Sequence, residues 1–114
     1  MNRYELVMKN GVYYLYDVKD SLTEINRYNN IKSLLTDYYI FTNSQYHKEI
    51  TILLERLKKD AYIDLITLFF KDGLTAEEIA ENLGKDASTI KRNKKRLCLI
   101  MAKLLEVNSN DENN

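Results

Sequence analysis

Basic side chains are concentrated in one stretch of this chain. Residues 85–105 carry seven of them, Lys85, Lys91, Arg92, Lys94, Lys95, Arg96 and Lys103, against a single acid, Asp86. Ammonium and guanidinium groups held this close together can neutralise a row of phosphates, and one that reaches a groove edge can donate to guanine. The stretch just before has the opposite sign: residues 61–84 hold Asp64, Asp72, Glu77, Glu78 and Glu81, with Lys71 as their one base. The whole chain is neutral, with 17 bases and 17 acids. A local field, not net charge, would therefore attract an anionic partner.

Other chemistry has little to work with. One cysteine, Cys98, and one histidine, His47, provide neither an internal disulfide nor a zinc ligand set. Cys98 has no His or acid at a nucleophile's spacing, so it is expected to be a small packing residue, and His47 a partly buried structural one. No glycine-rich phosphate loop or clustered metal ligands occur. The chain is therefore read as a non-enzyme needing no cofactor and no metal. The tyrosines gather at Tyr13, Tyr14 and Tyr16 and at Tyr38 and Tyr39, with little basic charge among them, which argues against a single-strand stacking platform.

The elements that must position the basic stretch are legible just upstream. Thr75 followed three residues later by Glu78 is a capping-box spacing, in which each side chain satisfies a free backbone N–H at a helix start. Ile79, Ala80 and Leu83 mark the inner face of that short helix. Gly84 just past its end can take the left-handed conformation that turns the chain. Asp86 can then cap a second helix beginning at Ala87, with Ile90 as its first large apolar residue. A small residue at the crossing, a glycine in the turn and a branched aliphatic after it make a helix-turn-helix spacing, which lets a second helix enter a DNA major groove.

With Ile90 at the buried centre and about 100° per residue, Ser88, Arg92 and Lys95 point away from the core, flanked by Lys91 and Arg96. Ser88, Lys91 and Arg92 are near enough the helix start to reach base edges; Lys95, Arg96 and Lys85 suit phosphates. Thr75 offers a phosphate its backbone N–H or hydroxyl. Lys94 turns partly toward the core, its stem passing apolar neighbours. Leu99 shares the outward meridian of Arg92 and, with Cys98 and Ile100, makes an apolar patch. Either the N-terminal hairpin or a second subunit must cover it, and a homodimer formed through this part of the helix and the hairpin is one hypothesis.

The run DLITLFFKDGLTAEEIAENL (residues 64–83) followed by GKDASTIKRNKKRL resembles the fourth region of bacterial sigma factors and the sigma-like regulators of phages and mobile elements. That family ends an aliphatic and aromatic helix at a glycine, follows it with a GLTxEEIAxxLG helix, and then places a basic recognition helix beginning STI or STV. The resemblance implies sequence-specific binding to double-stranded DNA in transcription regulation, with RNA polymerase or another host protein as a further partner. It departs at Asn93 and Lys94, where many relatives carry an apolar residue. Nothing before Tyr62 resembles a sigma core-binding region, so a complete sigma factor is not expected.

The rest of the chain builds a platform. Tyr4, Leu6 and Met8 alternate with Glu5, Val7 and Lys9, and Asn10-Gly11 is the preferred pair for a type I′ turn, so residues 3–18 predict a β-hairpin. A helix can open at Asp20 or Ser21, and Ile31, Leu34, Leu35 and Tyr38 share one helical face. After a break at residues 42–44, Tyr46, Ile50, Leu53, Leu54 and Leu57 share another. A third helix over residues 60–70 is apolar on nearly every side and should be buried. The expectation is a mainly α protein: an N-terminal β-hairpin and two amphipathic helices (residues 1–59, for interaction or dimerisation), a three-helix helix-turn-helix module (residues 60–106, recognition helix 87–105) and a disordered tail (residues 107–114). No apolar run approaches the roughly 18–20 residues of a membrane span, so no membrane partner and a cytoplasmic location are expected. A protein-binding module that inhibits a host factor, using the same helical scaffold, is the alternative function.

Overall fold

The computed structural model describes residues 5–16 and 24–112, with side chains described for residues 5–15 and 26–105. Two strands, β1 (Glu5–Lys9) and β2 (Val12–Tyr16), form an antiparallel hairpin in which Lys9 pairs with Val12. The loop is two residues long, and both take positive φ, 53° at Asn10 and 79° at Gly11, as the expected turn requires. Leu6, Tyr13 and Leu15 pack on the main core, which shelters a hairpin that would be marginal alone.

Five helices follow among the described residues: α1 (Glu24–Ile40), α2 (His47–Arg56), α3 (Asp64–Phe70), α4 (Ala76–Leu83) and α5 (Ala87–Glu112). The helix openers expected at Asp20 or Ser21 lie outside the described residues. Ile31 and Leu35 of α1 and Ile50 and Leu53 of α2 are buried, the amphipathic faces anticipated from their spacing. His47 is half-buried, its ring stacked 4.4 Å from that of Tyr38.

The third helix starts later than its composition suggests, at Asp64 rather than Asp60. The Asp60 carboxylate accepts the Tyr62 N–H through Oδ1 at 2.9 Å, a local turn that competes with helix. Leu65 and Ile66 of α3 are both buried but in different clusters, so this helix separates two cores, as an element apolar on several sides should. The smaller core joins Leu65 to Ala76, Ile79, Ala80 and Ile90. The larger one gathers the apolar faces of α1 and α2 around Leu97, Cys98, Met101 and Leu104 of α5. Residues on both sides of the boundary expected at 59/60 therefore share one core through α5.

The capping box at α4 is formed: Glu78 N–H donates to Thr75 Oγ1 at 3.2 Å, and Thr75 N–H donates to Glu78 Oε1 at 3.0 Å. At its other end Gly84 adopts φ 65°, and the Lys85 N–H returns to the Ala80 carbonyl at 2.9 Å, a Schellman closure. Leu83 departs from expectation. It is 49% exposed, because Ala76, Ile79 and Ala80 complete the contact with Ile90 and the last turn of α4 extends past it. Helix α5 also runs on to Glu112, through the region read as a disordered tail. No glycine or proline follows Gly84 to stop it. Gly84→Ala should cost about 1–2 kcal/mol, because a Cβ is strained at positive φ, with Gly84→Asn recovering part of the loss. Urea denaturation of the three proteins measures this.

Candidate nucleic-acid interface

Helix α5 begins directly after the Gly84 turn, and its surface residues divide into three groups. The first faces the hairpin. Arg96 donates from Nη1 to the Tyr13 carbonyl at 2.7 Å and to Asp60 Oδ2 at 2.8 Å, and from Nη2 to Asp60 Oδ1 at 2.9 Å. Asp60 Oδ2 also accepts the Tyr13 N–H at 2.7 Å. The Asp60 side chain is 0% exposed and that of Arg96 13%. Asn93 aims the guanidinium: its Oδ1 accepts Arg96 Nε at 3.1 Å, while its Nδ2 donates to the Thr89 carbonyl at 2.9 Å. Arg96 was expected on the outer flank, available to phosphates. It is instead committed inward, because Asp60 is a buried carboxylate that only a cation at this position neutralises.

The second group faces water. Ser88, Lys91, Arg92 and Lys95 are exposed along the first turns of α5, and Lys85 is exposed in the turn before it. Arg92 Nη2 reaches Thr89 Oγ1 at 3.3 Å, which orients the guanidinium without covering it. Lys91 Nζ pairs with Glu77 Oε1 at 3.3 Å, both side chains more than 60% exposed, a pair of little stability. A hydrogen bond from its own backbone, and then Lys91, hold the Glu77 carboxyl below its usual range. Thr75 is exposed at the start of α4, but its N–H is already donated to Glu78; only its hydroxyl proton remains for a ligand. Six of the seven expected contact residues thus lie at the surface, and Arg96 does not.

The third group turns toward α3. Lys94, expected to run past apolar neighbours, holds Nζ 4.2 Å from the Phe69 ring centroid and 5.5 Å from that of Phe70. Burial pushes its ammonium below the usual lysine range. The two positions that depart from the sigma pattern, Asn93 and Lys94, therefore both have structural partners here.

The apolar patch read on α5 has a different environment from that of a lone helix. Cys98 is 0% and Ile100 3% exposed, and Leu99 is half-buried. Helices α1 and α2 and strand β2 pack along α5 and cover two of these three residues within one chain, which removes the need for a second subunit there. Burial also pushes the Cys98 thiol up to about 12, where it is inert as a nucleophile.

The roles of two residues central to this arrangement do not show in the sequence: Asp60 reads only as the start of the third helix, and Asn93 only as a departure from the sigma pattern. The available signal was spacing: Thr89, Asn93 and Arg96 are four and three residues apart, on one helical face. Comparison of the chain with protein-family models, with curated proteins and with solved structures finds no match. Among the described residues no helix is long and apolar enough to cross a membrane, and no cluster of His, Cys, Asp and Glu could hold a metal ion.

Burial raises the Asp60 pKa, but the hydrogen bonds from Arg96, Tyr13 and Tyr62 outweigh it and hold the carboxyl below its usual range. The native carboxyl therefore binds fewer protons than the unfolded one just below the ordinary aspartate pKa. Its stabilisation is present above about pH 4 and lost as pH falls through the lower native pKa. Asp60→Asn should cost about 3–5 kcal/mol at neutral pH, by stranding a buried guanidinium, and should flatten the acid limb of stability. Urea titrations at pH 7 and pH 3 check both effects.

Proposed function

We propose that the chain is a sequence-specific binder of double-stranded DNA acting in transcription regulation, with α4, the Gly84 turn and α5 working as a helix-turn-helix. The observation that carries this is the water-facing side of the first turns of α5. Ser88, Lys91, Arg92 and Lys95 lie there together, exposed, at the end of the helix that a tight turn leaves free. Such a face can enter a major groove end-on, and the cations crowded on it raise the local concentration of duplex whatever the net charge. The resemblance of residues 64–97 to sigma region four supports the same reading and adds its context, a sigma-like regulator of a phage or mobile element.

Each residue then has its own task. Arg92, held by Thr89 but uncovered, donates to base edges, and Ser88 joins it from the first turn. Lys95 and Lys85 take phosphates and set affinity without reading sequence. Lys91 must exchange Glu77 for a phosphate or base, so Glu77 acts as a competitor of DNA. Arg96 holds the helix in place and touches no nucleic acid.

Fluorescence anisotropy with duplex from the gene's own upstream region, at about 50–300 mM salt, tests the assignment. Arg92→Ala should lose about 1–3 kcal/mol of preference for its site, and Lys95→Ala should weaken every sequence alike and reduce the salt slope by about one. Absence of wild-type binding at the lowest salt would overturn the proposal. With Glu77→Gln, which releases Lys91 without touching the core, affinity should rise about twofold to fivefold and fall off more steeply with salt.

A further inference from the structure

An open groove runs between α1, α3, α4 and the flank of α5, and shares Thr75, Lys91 and Lys95 of its lining with the face assigned to DNA. Phe69, Phe70 and Leu74 form its floor, with Tyr28 of α1 at one side, and it encloses about 630 Å³. That is room for a few apolar side chains. Its cationic side carries Lys94 and Lys95, and nearby Lys32 of α1 sits 4.3 Å from the centroid of the Tyr28 ring. Among the described residues none of these three ammonium groups has a carboxylate within ion-pair distance. The groove's one acid, Glu77, is taken by Lys91.

Lys94 makes this arrangement informative. Its ammonium lies over two phenyl rings, and a ring face replaces only part of the hydration a cation loses on burial. An approaching carboxylate would improve its state, whereas an approaching cation would worsen it. The floor makes a separate demand, because three large apolar side chains lining an open groove gain most from an apolar occupant. A phosphodiester backbone meets the first demand and not the second.

We propose that this groove docks an acidic amphipathic segment of a partner protein, with its apolar anchors on Phe69, Phe70 and Leu74 and its carboxylates on Lys94 and Lys95. Helix-in-groove recognition of this kind reads anchors at helical spacing and uses charge to choose the partner. Thr75, Lys91 and Lys95 belong both to the lining of this groove and to the proposed DNA face, so the segment and duplex compete for them. The docking site does not depend on DNA binding, and a chain that ignored DNA would still hold it.

The test uses the full chain and a fluorescein-labelled, 15-residue synthetic helix carrying Leu and Phe at helical spacing among Glu and Asp. Two control peptides replace its Leu and Phe with Ser, or its acids with Lys. Wild type should bind the first peptide and neither control, and Lys94→Met should bind it about tenfold more weakly. Arg92→Ala should bind it unchanged. Lys94→Met keeps the stem over the rings and removes the buried charge, so its melting temperature should equal or exceed that of wild type; if it melts lower, Lys94→Gln carries the same comparison. Equal binding of the Ser peptide, equal weakening by Arg92→Ala, or no wild-type binding at millimolar peptide each overturns the proposal. Unlabelled duplex should displace the peptide from wild type; failure of displacement alongside intact peptide binding would count against the DNA face and leave the groove standing.

Discussion

Asp60 and Arg96 meet in a buried, two-pronged ion pair where the hairpin, the α2–α3 connection and α5 converge. In the register of the hairpin, Tyr13 is opposite Met8 at a position whose own N–H and C=O point away from β1. Those two groups need partners, and the pair supplies one each: Asp60 accepts the N–H and Arg96 donates to the C=O. The ion pair thus stands where a third strand would be. This bears on its energetics. A buried pair can often be exchanged for apolar residues without loss, but here the exchange would also leave two backbone groups of β2 unsatisfied. The Ala61 N–H, donated to the Gly11 carbonyl at 2.8 Å, fixes the turn end of the same hairpin.

That clamp decides which residues of α5 are left for a ligand. One side of the helix is bound to the hairpin through Arg96, which Asn93 holds in place from the Thr89 carbonyl. Another is sunk in the two cores through Ile90, Leu97, Cys98 and Met101. What remains is the arc holding Ser88, Lys91, Arg92 and Lys95. A helix of 26 residues is held over much of its length, while its first turns keep an uncovered cationic face. Rigid support of a short exposed segment is what a reading helix needs, since each donor must meet its acceptor without first being ordered.

The basic cluster therefore does not act as a unit. Of its members, Arg96 is structural, Lys94 lies on aromatic rings beside the groove, Lys91 is held by Glu77, and only Arg92, Lys95 and Lys85 are exposed without a carboxylate. A DNA face and a protein-binding groove, the two functions weighed from the sequence, occupy adjacent sides of one helix in the reading proposed here. Thr75, Lys91 and Lys95 are common to both, so binding one partner would weaken binding of the other.

Local interactions made much of the molecule legible beforehand. The Asn10-Gly11 turn, the Thr75–Glu78 capping box, the Gly84 stop and the helical spacing in α1 and α2 each depend on residues at most a few positions apart, so their physics is written in the chain. The burial of Ile90 followed from the same periodicity. The start of α3, the exposure of Leu83, the enclosure of Cys98 and Ile100 and the inward turn of Arg96 did not follow. The start of α3 is set by the Asp60 carboxylate, which Tyr13 and Arg96 hold in place, and the others by neighbours a helical wheel does not show: the α4–α5 crossing for Leu83, α1 and α2 for the lower half of α5, and Asp60 for Arg96. A helical wheel gives the direction of a side chain but not what lies in that direction. By itself the sequence determined the elements, several of their ends and the sign of charge on each; only the tertiary structure decided which of those charges remain facing water, because desolvation and pairing are properties of neighbours brought together by the fold.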